Sequence, residues 1–569
     1  MAEPYDTLTT SPVTTPQTEP VPGREAEQVA NAAGGYTFAI TPWQRLDRFL
    51  ILGTSAGTYY QEPRDLTKEN VDAIRECLHE DGPRVVGTAL LVNLENRAPR
   101  VDPSLYVLAM AMTPTFADVE TRQAAAQALP EMLRTFTHVA MFCKYLSSLR
   151  GWGEIPRRAV RAFYENKSPA ALAYQGIKYP QREGWTHKDV LRTVHPKAPT
   201  PEHAEVYDWM VRGRKSVALR DHGVVLHDES LTHSPRDDWS EHMKLIWAYE
   251  TAQATVRDGE AIKESESRLL SLIDQHKLPW EAVPMVWRGE PKVWSAALAN
   301  MPPTATLRNL GQLTSMGVIG SPLEPNTKLV VARLGAKEQM RGARVHPFAV
   351  YQAMMVYRHG KGIRGGNTWE PVAPILDALD LAFYDSFGNV EPTGKNILVA
   401  IDTSSSMGAN WGSFSPLASF PGASVRDLAA AFAMVVARSE SAYDVVGFDH
   451  RLRVLPISPK QRLDDVIRAV PADGGSTDAS LPMQYAIQGG LDVDAFVVIT
   501  DNESWSGDRH PFQALQAYRR AFNKAAKLVV VGMTASRGSI GDQADSGTLD
   551  VVGFDATAPS VIADFIRGS

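Results

Sequence analysis

Two apolar runs of the chain are each followed by side chains of the types that bind metal ions. Residues 397–401 are all apolar, and Asp402 and two alternating serines follow them. A second apolar run, residues 495–500, ends next to Asp501. Carboxylate and hydroxyl oxygens are hard ligands that suit Mg²⁺ or a similar cation. The pattern indicates a divalent metal site, with Mg²⁺ as the expected cofactor.

A glycine loop, Gly474-Gly-Ser-Thr-Asp478, could present Thr477 to the same place. Because serine-rich loops are common, these polar residues could instead cap loops and helices in a metal-free domain. The serines do not read as nucleophiles, since no Gly-x-Ser-x-Gly elbow surrounds them and no histidine is near in sequence. A metal-dependent hydrolase, such as a nuclease using Asp402 and Asp501, is a further alternative. Two-metal chemistry normally needs more carboxylates than these loops carry.

A basic block lies in an otherwise acidic chain. Residues 144–220 contain 15 Lys and Arg against 7 Asp and Glu, whereas the whole chain carries a net charge of −7. Cations here alternate with aromatic and imidazole rings, a combination that holds phosphates and stacks unpaired bases. A solvated helical face is the alternative. Zinc is disfavoured, because the histidines between His187 and His242 show no His-x₃-His or His-Glu-x-x-His spacing.

The elements that must position these groups fall into two classes. Helical periodicity runs from residue 41 to residue 358, which predicts helix pairs stacked in an α-solenoid or a large curved array. After residue 396, apolar strands alternate with helices, which predicts a doubly wound parallel sheet. Ligands of such sheets lie at the carboxyl ends of the strands. Residues 1–35, rich in Thr and Pro without periodicity, are predicted to be a disordered tail.

The composition argues against a membrane-spanning, secreted or disulfide-stabilised protein. No apolar run approaches the ~18 residues of a membrane span, and no charged-then-apolar signal sequence begins the chain. The two cysteines, Cys77 and Cys143, lie in helical patterns, which argues against a disulfide scaffold. We therefore expect a soluble, cytoplasmic and monomeric protein without a membrane partner.

The three polar loops resemble the metal-ion-dependent adhesion site of von Willebrand factor A domains. This resemblance places an α/β domain at residues 373–569 and leaves one metal position open for an acidic group of a partner. A protein-adhesion module is therefore an alternative function. The usual loop reads Gly-Gly-Thr, whereas Ser476 precedes Thr477 here and could replace it as ligand. The implied ligands, direct or through water, are Asp402, Ser404, Ser406, Thr477 and Asp501.

The helical region resembles the TROVE domain of Ro-type RNA-binding proteins, and a bacterial member of that family is expected. The resemblance assigns residues 36–372 to this domain. The motifs that carry it are Arg45-x-x-Arg-Phe-x-x-x-Gly53, Gly57-Thr-Tyr-Tyr60, the run from Lys178 to Arg192, Pro303-x-x-x-Leu-Arg-Asn-Leu-Gly311, His346-Pro-Phe348, Gly362-x-Arg-Gly365, Glu391-Pro-Thr-Gly-Lys395 and Thr500-Asp-Asn-Glu503.

The resemblance implies a ring of HEAT-like helical repeats closed by the von Willebrand domain, and a non-catalytic scaffold of a ribonucleoprotein. Such proteins bind small structured noncoding Y RNAs on an outer basic surface and take 3′ ends of misfolded RNA into the central hole. Bacterial members cooperate with a 3′-to-5′ exoribonuclease in RNA quality control and decay. His187 matches a histidine implicated in Y RNA binding. Charge and neighbourhood add the other candidate RNA contacts, Arg157, Arg161, Lys178, Arg182, Lys188 and Arg192, some of which could instead pair with Glu183 or Asp189.

Overall fold

The computed structural model describes residues 14–31, 33–53, 63–98, 100–222, 226–227, 230–231, 238–255, 262–362, 366–388, 391–408, 424–471, 474–533, 538–542, 544–553 and 558–568. The predicted motif at residues 57–60 and most of the one at residues 362–365 lie outside these ranges. The chain divides into two compact units. One comprises Ile74–Ser386, and the other combines Met1–Ala73 with Phe387–Ser569.

The unit Ile74–Ser386 is built of helices, as predicted. Proline stands in the first turn of many of them, where its missing N–H costs nothing. The long helix Pro63–Leu94, which begins in the other unit, is kinked at Asp81 before Pro83. The helices of this unit are Pro63–Leu94, Asp102–Ala111, Val119–Met132, Phe136–Ser148, Glu154–Glu165, Pro169–Lys178, His187–Val194, Pro201–Arg212, Val217–Asp221, Glu241–Gln253, Ile262–His276, Pro291–Ala299, Pro303–Ser315, Pro325–Leu334, Lys337–Gly342, Pro347–His359 and Ala373–Asp385.

These helices pack as a stack of pairs. Asp102–Ala111 packs against Phe136–Ser148, and Val119–Met132 against Glu154–Glu165, so each helix covers the apolar face of the next but one. Early and late parts of the unit also meet: Arg344 Nη1 donates to the Asn93 carbonyl at 3.5 Å. The predicted stacked array is confirmed. Two short hairpins interrupt it, Gln181–Arg182 with Trp185–Thr186 and Leu226–His227 with Ser230–Leu231.

The second unit contains the predicted α/β sheet. Its strands run in the order Thr548–Val552, Lys527–Gly532, Ala495–Thr500, Ile397–Asp402, Tyr443–Phe448 and Leu452–Val454. All neighbours are parallel except the last pair, where Leu452–Val454 is an antiparallel edge strand that the sequence pattern did not predict. Both central strands are buried along their whole length. The helices of this unit are Pro42–Leu52, Ser405–Gly408, Val425–Ser439, Leu463–Ala469, Leu481–Gly489, Pro511–Phe522 and Ala558–Arg567.

The prediction of disorder for residues 1–35 is wrong for residues 14–31 and 33–35. Strand Gln28–Ala30 pairs with Tyr36–Ala39, which pairs in turn with Gly538–Ser539. Val21 and Phe38 form a small buried cluster with Phe512. This segment is held mainly by polar contacts and by few apolar ones, so hydrophobic periodicity could not reveal it.

Helix Pro42–Leu52 also belongs to the α/β unit, although sequence reasoning grouped it with the helical region. Arg48 is 1% exposed. Its Nη2 donates to Asp550 Oδ2 in the edge strand of the sheet at 3.0 Å. The signature Arg45-x-x-Arg-Phe therefore serves, through its second arginine, to attach this helix to the sheet.

Candidate metal centre and nucleic-acid surface

The central strands bring both predicted acidic ligands to one edge of the sheet. Asp402 is the last residue of Ile397–Asp402, and Asp501 follows the neighbouring parallel strand Ala495–Thr500. Parallel neighbours end at the same edge, so the two carboxylates share one site.

The double-glycine loop joins this edge through Gly474. Ser405 N donates to the Gly474 carbonyl at 3.0 Å, and Gly474 N donates to the Thr403 carbonyl at 3.1 Å. A Cβ on Gly474 would lie 2.5 Å from Asp449 Oδ2 and 2.7 Å from the Thr403 carbonyl oxygen. Only glycine fits there, because a side chain would push the two loops apart.

The five predicted metal ligands are all buried. Thr500 Oγ1 donates to Asp402 Oδ2 at 2.8 Å, and Ser404 N donates to Asp402 Oδ1 at 2.9 Å. The hydroxyls of Ser404 and Ser406 are 2.9 Å apart. The exposed fractions are 0% for Asp402, 2% for Ser404, 8% for Ser406, 3% for Thr477 and 4% for Asp501.

Thr477 fits the ligand role better than Ser476. Thr477 is buried whereas Ser476 is half-buried. The Thr477 carbonyl accepts from Trp505 N at 3.1 Å and from Ser506 N at 2.9 Å. These bonds fix the double-glycine loop against the segment that follows Asp501.

Burial opposes charge on both carboxylates. Burial, together with the nearby charge of Asp501, raises the pKa of Asp402 to about 7. Burial also raises the pKa of Asp501, against hydrogen bonds from Ser406 and from the Glu503 amide. A divalent cation between these oxygens would supply the compensating charge.

The donor set fits Mg²⁺ and does not fit a zinc site. The described ranges contain no group of three or more His, Cys, Asp or Glu side chains placed to hold a metal. The hydroxyls of Ser404, Ser406 and Thr477 would supply further oxygen donors, which suit a hard cation.

The predicted RNA-contact residues lie on three neighbouring helices and a hairpin of the helical unit. Glu183 and Gly184 both have positive φ, 50° and 83°, and form the two-residue hairpin turn. Glu183 pairs with Lys144 at 2.6 Å, which ties the hairpin to helix Phe136–Ser148. Asp189 caps its own helix by accepting from Thr186 N at 3.0 Å. Neither carboxylate forms an ion pair with the candidate RNA cations.

Two candidate cations lie over aromatic rings. Lys178 Nζ is 5.6 Å from the ring centroids of both Tyr174 and Tyr179. The Arg182 guanidinium is 5.2 Å from the Tyr179 centroid. These contacts hold the charges in place without neutralising them.

Three further candidates, Arg157, Lys188 and Arg192, form no ion pair with any described residue. Arg157 and Arg192 are exposed and Lys188 is half-buried. Arg161 differs, because its guanidinium makes two hydrogen bonds to Glu154, at 2.9 and 3.3 Å, and a third to the Val194 carbonyl. Arg161 is thus engaged in holding two helices together, and its contact with an RNA phosphate stays a prediction.

His187 lies in the interior, 4% exposed. Its ring stacks on Phe136 with centroids 3.7 Å apart, and Nδ1 is 3.2 Å from the Tyr164 hydroxyl. Burial lowers its pKa to about 3, so the ring is neutral. In this structure His187 lies beneath the start of helix His187–Val194, and its contact with RNA stays a prediction.

Sequence reasoning counted Trp185 among the aromatic rings of the basic block but missed that it pairs with Trp152. Trp152 and Trp185 are half-buried, with ring centroids 6.1 Å apart. Trp152 Nε1 donates to Ser147 Oγ at 2.8 Å. Trp185 lies inside the motif from Lys178 to Arg192, and Trp152 lies between two glycines. These two features of the sequence could have indicated the pair.

Comparison with known proteins assigns both regions of the chain to one family. A model of the TROVE domain matches residues 29–355, and a model of the Ro60 vWA domain matches residues 396–566. The chain belongs to the Ro60 family. It is 36% identical over 559 residues to the RNA-binding protein RO60 of Deinococcus radiodurans, covering 98% of both chains. It is 31% identical over 594 residues to the RNA-binding protein RO60 of Caenorhabditis elegans, covering 95% of this chain and 90% of that one.

A solved Ro60-family structure has the same fold. The crystal structure of the Ro (Rsr) protein of Deinococcus radiodurans matches with a TM-score of 0.68 and 36% identity. The match covers 93% of this chain and 100% of that chain. In the described part of this Ro60-family chain, no helix is both long and apolar enough to cross a membrane.

Proposed function

We propose that this Ro60-family protein binds RNA as a non-catalytic scaffold. The observation that carries the proposal is a set of cations that form no ion pair with a described residue, Arg157, Lys188 and Arg192, in the same helices and hairpin as Lys178 and Arg182, which lie over aromatic rings. Phosphates are the groups that such a surface attracts. The printed names of both relatives, RNA-binding proteins of the Ro60 type, support this choice.

The finer function follows from family membership and is part of the same proposal. The RNA would be a small structured, Y-like noncoding RNA, together with 3′ ends of misfolded RNA. The protein would act as a monomer in the cytoplasm, in RNA quality control and decay with a 3′-to-5′ exoribonuclease. Recovery of the protein from its own cells and sequencing of the bound RNA tests the identity of the RNA. One or two abundant structured RNAs are expected.

The surface is tested by the salt dependence of RNA binding. Replacing Arg157, Lys188 and Arg192 by Gln should weaken binding of a structured RNA and reduce the slope of log K against log[salt] by roughly 2–3, at roughly 0.7–0.9 for each of three phosphate contacts. Fluorescence anisotropy at several salt concentrations measures this slope.

A matched control removes the same charge elsewhere on the helical unit. Lys277, Lys292 and Arg341 each pair with a nearby carboxylate on the surface. Their joint replacement by Gln should leave the slope unchanged. Equal slopes for both triple variants would mean that the unpaired cations do not contact RNA.

We also infer that Asp402, Ser404, Ser406, Thr477 and Asp501 hold Mg²⁺. The bound ion would supply positive charge that fixes the three loops or receives an acidic group of a partner protein. Mg²⁺ at 100 times its Kd should stabilise the α/β unit by about 2.7 kcal/mol in the wild type. Asp402→Asn should abolish this gain. A thermal melt with MgCl₂ or EDTA measures it, and equal melting temperatures for the wild type in both would remove the metal from the proposal.

Two other functions remain as outcomes of these tests. RNA cleavage by the purified protein in Mg²⁺ that Asp402→Ala abolishes would establish a nuclease. We expect no cleavage, because no three carboxylates among the described residues are grouped to hold a metal ion, and two-metal chemistry normally needs more of them. A protein partner captured only with divalent metal, and independently of RNA, would favour the adhesion module.

A further inference from the structure

The N-terminal strap, defined as residues 14–31 and 33–39, contacts the metal-site loops through one buried glutamine. Gln17 is 1% exposed. Its Nε2 donates to Asp478 Oδ1 at 2.7 Å and to the Arg509 carbonyl at 3.0 Å. Its Oε1 accepts from the Ser504 hydroxyl. Both the nitrogen and the oxygen of this buried side-chain amide are hydrogen-bonded. The contact is specific, because the loss of either bond would leave a buried polar group without a hydrogen-bond partner.

The partners of Gln17 belong to the two loops that carry Thr477 and Asp501. Asp478 follows Thr477 directly, and Ser504 is three residues beyond Asp501. Ser504 Oγ also lies 3.1 Å from the Thr477 carbonyl and accepts from Ala479 N at 3.1 Å. Gln17 therefore completes a hydrogen-bond network that spans both loops.

The backbone of the strap lies directly on the second loop. Gln17 N donates to the Gly507 carbonyl at 3.3 Å, and Asn31 Nδ2 donates to the Ser504 carbonyl at 2.7 Å. A Cβ on Gly35 would be 2.3 Å from the Ser504 carbonyl oxygen and 2.7 Å from Trp505 Cα. Glycine at position 35 is what permits this close approach.

The strap has a second attachment, which lies outside the metal-site loops. The Arg24 guanidinium pairs with Asp542 and lies 4.6 Å from the Phe38 ring centroid and 5.4 Å from that of Phe512. The strap is thus attached at two places: Arg24 holds it independently of the metal site, and Gln17 joins it to the loops that form the metal site.

We propose that the docked strap is a positioning element for the metal site, with Gln17 as its positioning residue. Docking fixes the spacing of the Thr477 and Asp501 loops and so raises the affinity for a divalent cation. By linkage, a bound cation stabilises docking by the same factor. Displacement of the strap, by a partner or by proteolysis, weakens metal binding. This inference rests on the metal centre proposed above.

The experiment combines Mg²⁺ titration calorimetry with hydrogen exchange on the full-length protein. Four proteins are compared: wild type, Gln17→Ala, Asp402→Asn as the metal-site control, and Gln44→Ala as the matched control. Gln44 makes local capping bonds to Thr41 in helix Pro42–Leu52. Circular dichroism establishes that each variant is folded.

We expect Gln17→Ala to weaken Mg²⁺ binding about tenfold, which corresponds to about 1.4 kcal/mol, the scale of one buried hydrogen bond. Gln44→Ala should bind as the wild type does. Mg²⁺ should slow amide exchange in the strap of the wild type, and this protection should be smaller in Gln17→Ala.

Three results would overturn the inference. Equal Mg²⁺ affinity of folded Gln17→Ala and wild type would leave the metal centre standing but remove the role of the strap. Equal strap exchange in the wild type with and without Mg²⁺ would exclude the coupling. No Mg²⁺ binding by the wild type above Asp402→Asn would remove both the metal centre and its positioning element.

Discussion

Replacement of Arg48 by Met should destabilise the α/β unit strongly. The Arg48 and Asp550 side chains are 2% and 4% exposed, and their ion pair joins helix Pro42–Leu52 to the edge strand of the sheet. Met fills a similar volume but leaves the Asp550 carboxylate buried without its cation. Breaking a buried pair from one side costs about 3–5 kcal/mol.

Hydrogen exchange in strand Ala495–Thr500 measures this loss within the α/β unit itself. The central strand exchanges only on global opening, so its rate should rise by roughly two to nearly four orders of magnitude, at about 1.4 kcal/mol per factor of ten. Arg468 is a control on the surface of the same unit, where its side chain is 72% exposed. Arg468→Met should change stability by less than about 1 kcal/mol.

The double variant Arg48→Met/Asp550→Leu separates charge from packing. If the cost comes from the unpaired carboxylate, replacing both partners by apolar residues should recover most of the lost stability. A double variant as unstable as Arg48→Met would show that the helix depends on the packing of the arginine stem. Protection in Arg48→Met equal to the wild type would refute the attachment altogether.

Two further predictions follow from backbone crowding and from burial. Gly474→Ala should lower both Mg²⁺ affinity and thermal stability, because its Cβ would meet Asp449 and the Thr403 carbonyl. Gly475→Ala should be near neutral, since the nearest atom to its Cβ is 3.8 Å away. Thermal melts with and without MgCl₂ compare the two variants. Since the pKa of His187 is lowered to about 3 when folded, the unfolded chain binds the proton first, and the wild type should lose stability as pH falls from about 6.5 towards 3. His187→Gln should reduce the slope of unfolding free energy against pH by up to about 1.4 kcal/mol per pH unit. Urea unfolding at pH 7, 5 and 4 measures this slope for both proteins. Equal slopes for the variant and the wild type would mean that the His187 ring is protonated in the folded protein.

The sequence predicted the sheet and its acidic edge because strands buried on both faces leave a simple signature. The runs at residues 397–401 and 495–500 are uninterrupted apolar segments ending in aspartate, and parallel strands place such ends together. The edge strand Leu452–Val454 has only three residues and two half-buried positions, so it leaves no readable alternation. The strap was missed for a related reason: Gln17 and Arg24 hold it by contacts to residues more than 450 positions away.

The RNA-contact predictions show what a family signature does and does not indicate. His187 and Arg161 lie within or near the recognisable motifs, yet one is stacked beneath the surface and the other pairs with Glu154. Arg48 is likewise a signature residue that serves an internal ion pair. A motif residue can serve packing as well as binding, and charge along the chain cannot distinguish a neutralised cation from a free one. Ligand contacts are therefore better sought among cations whose carboxylate neighbours are engaged elsewhere, as Asp189, the neighbour of Lys188 and Arg192, is engaged in capping its own helix through Thr186.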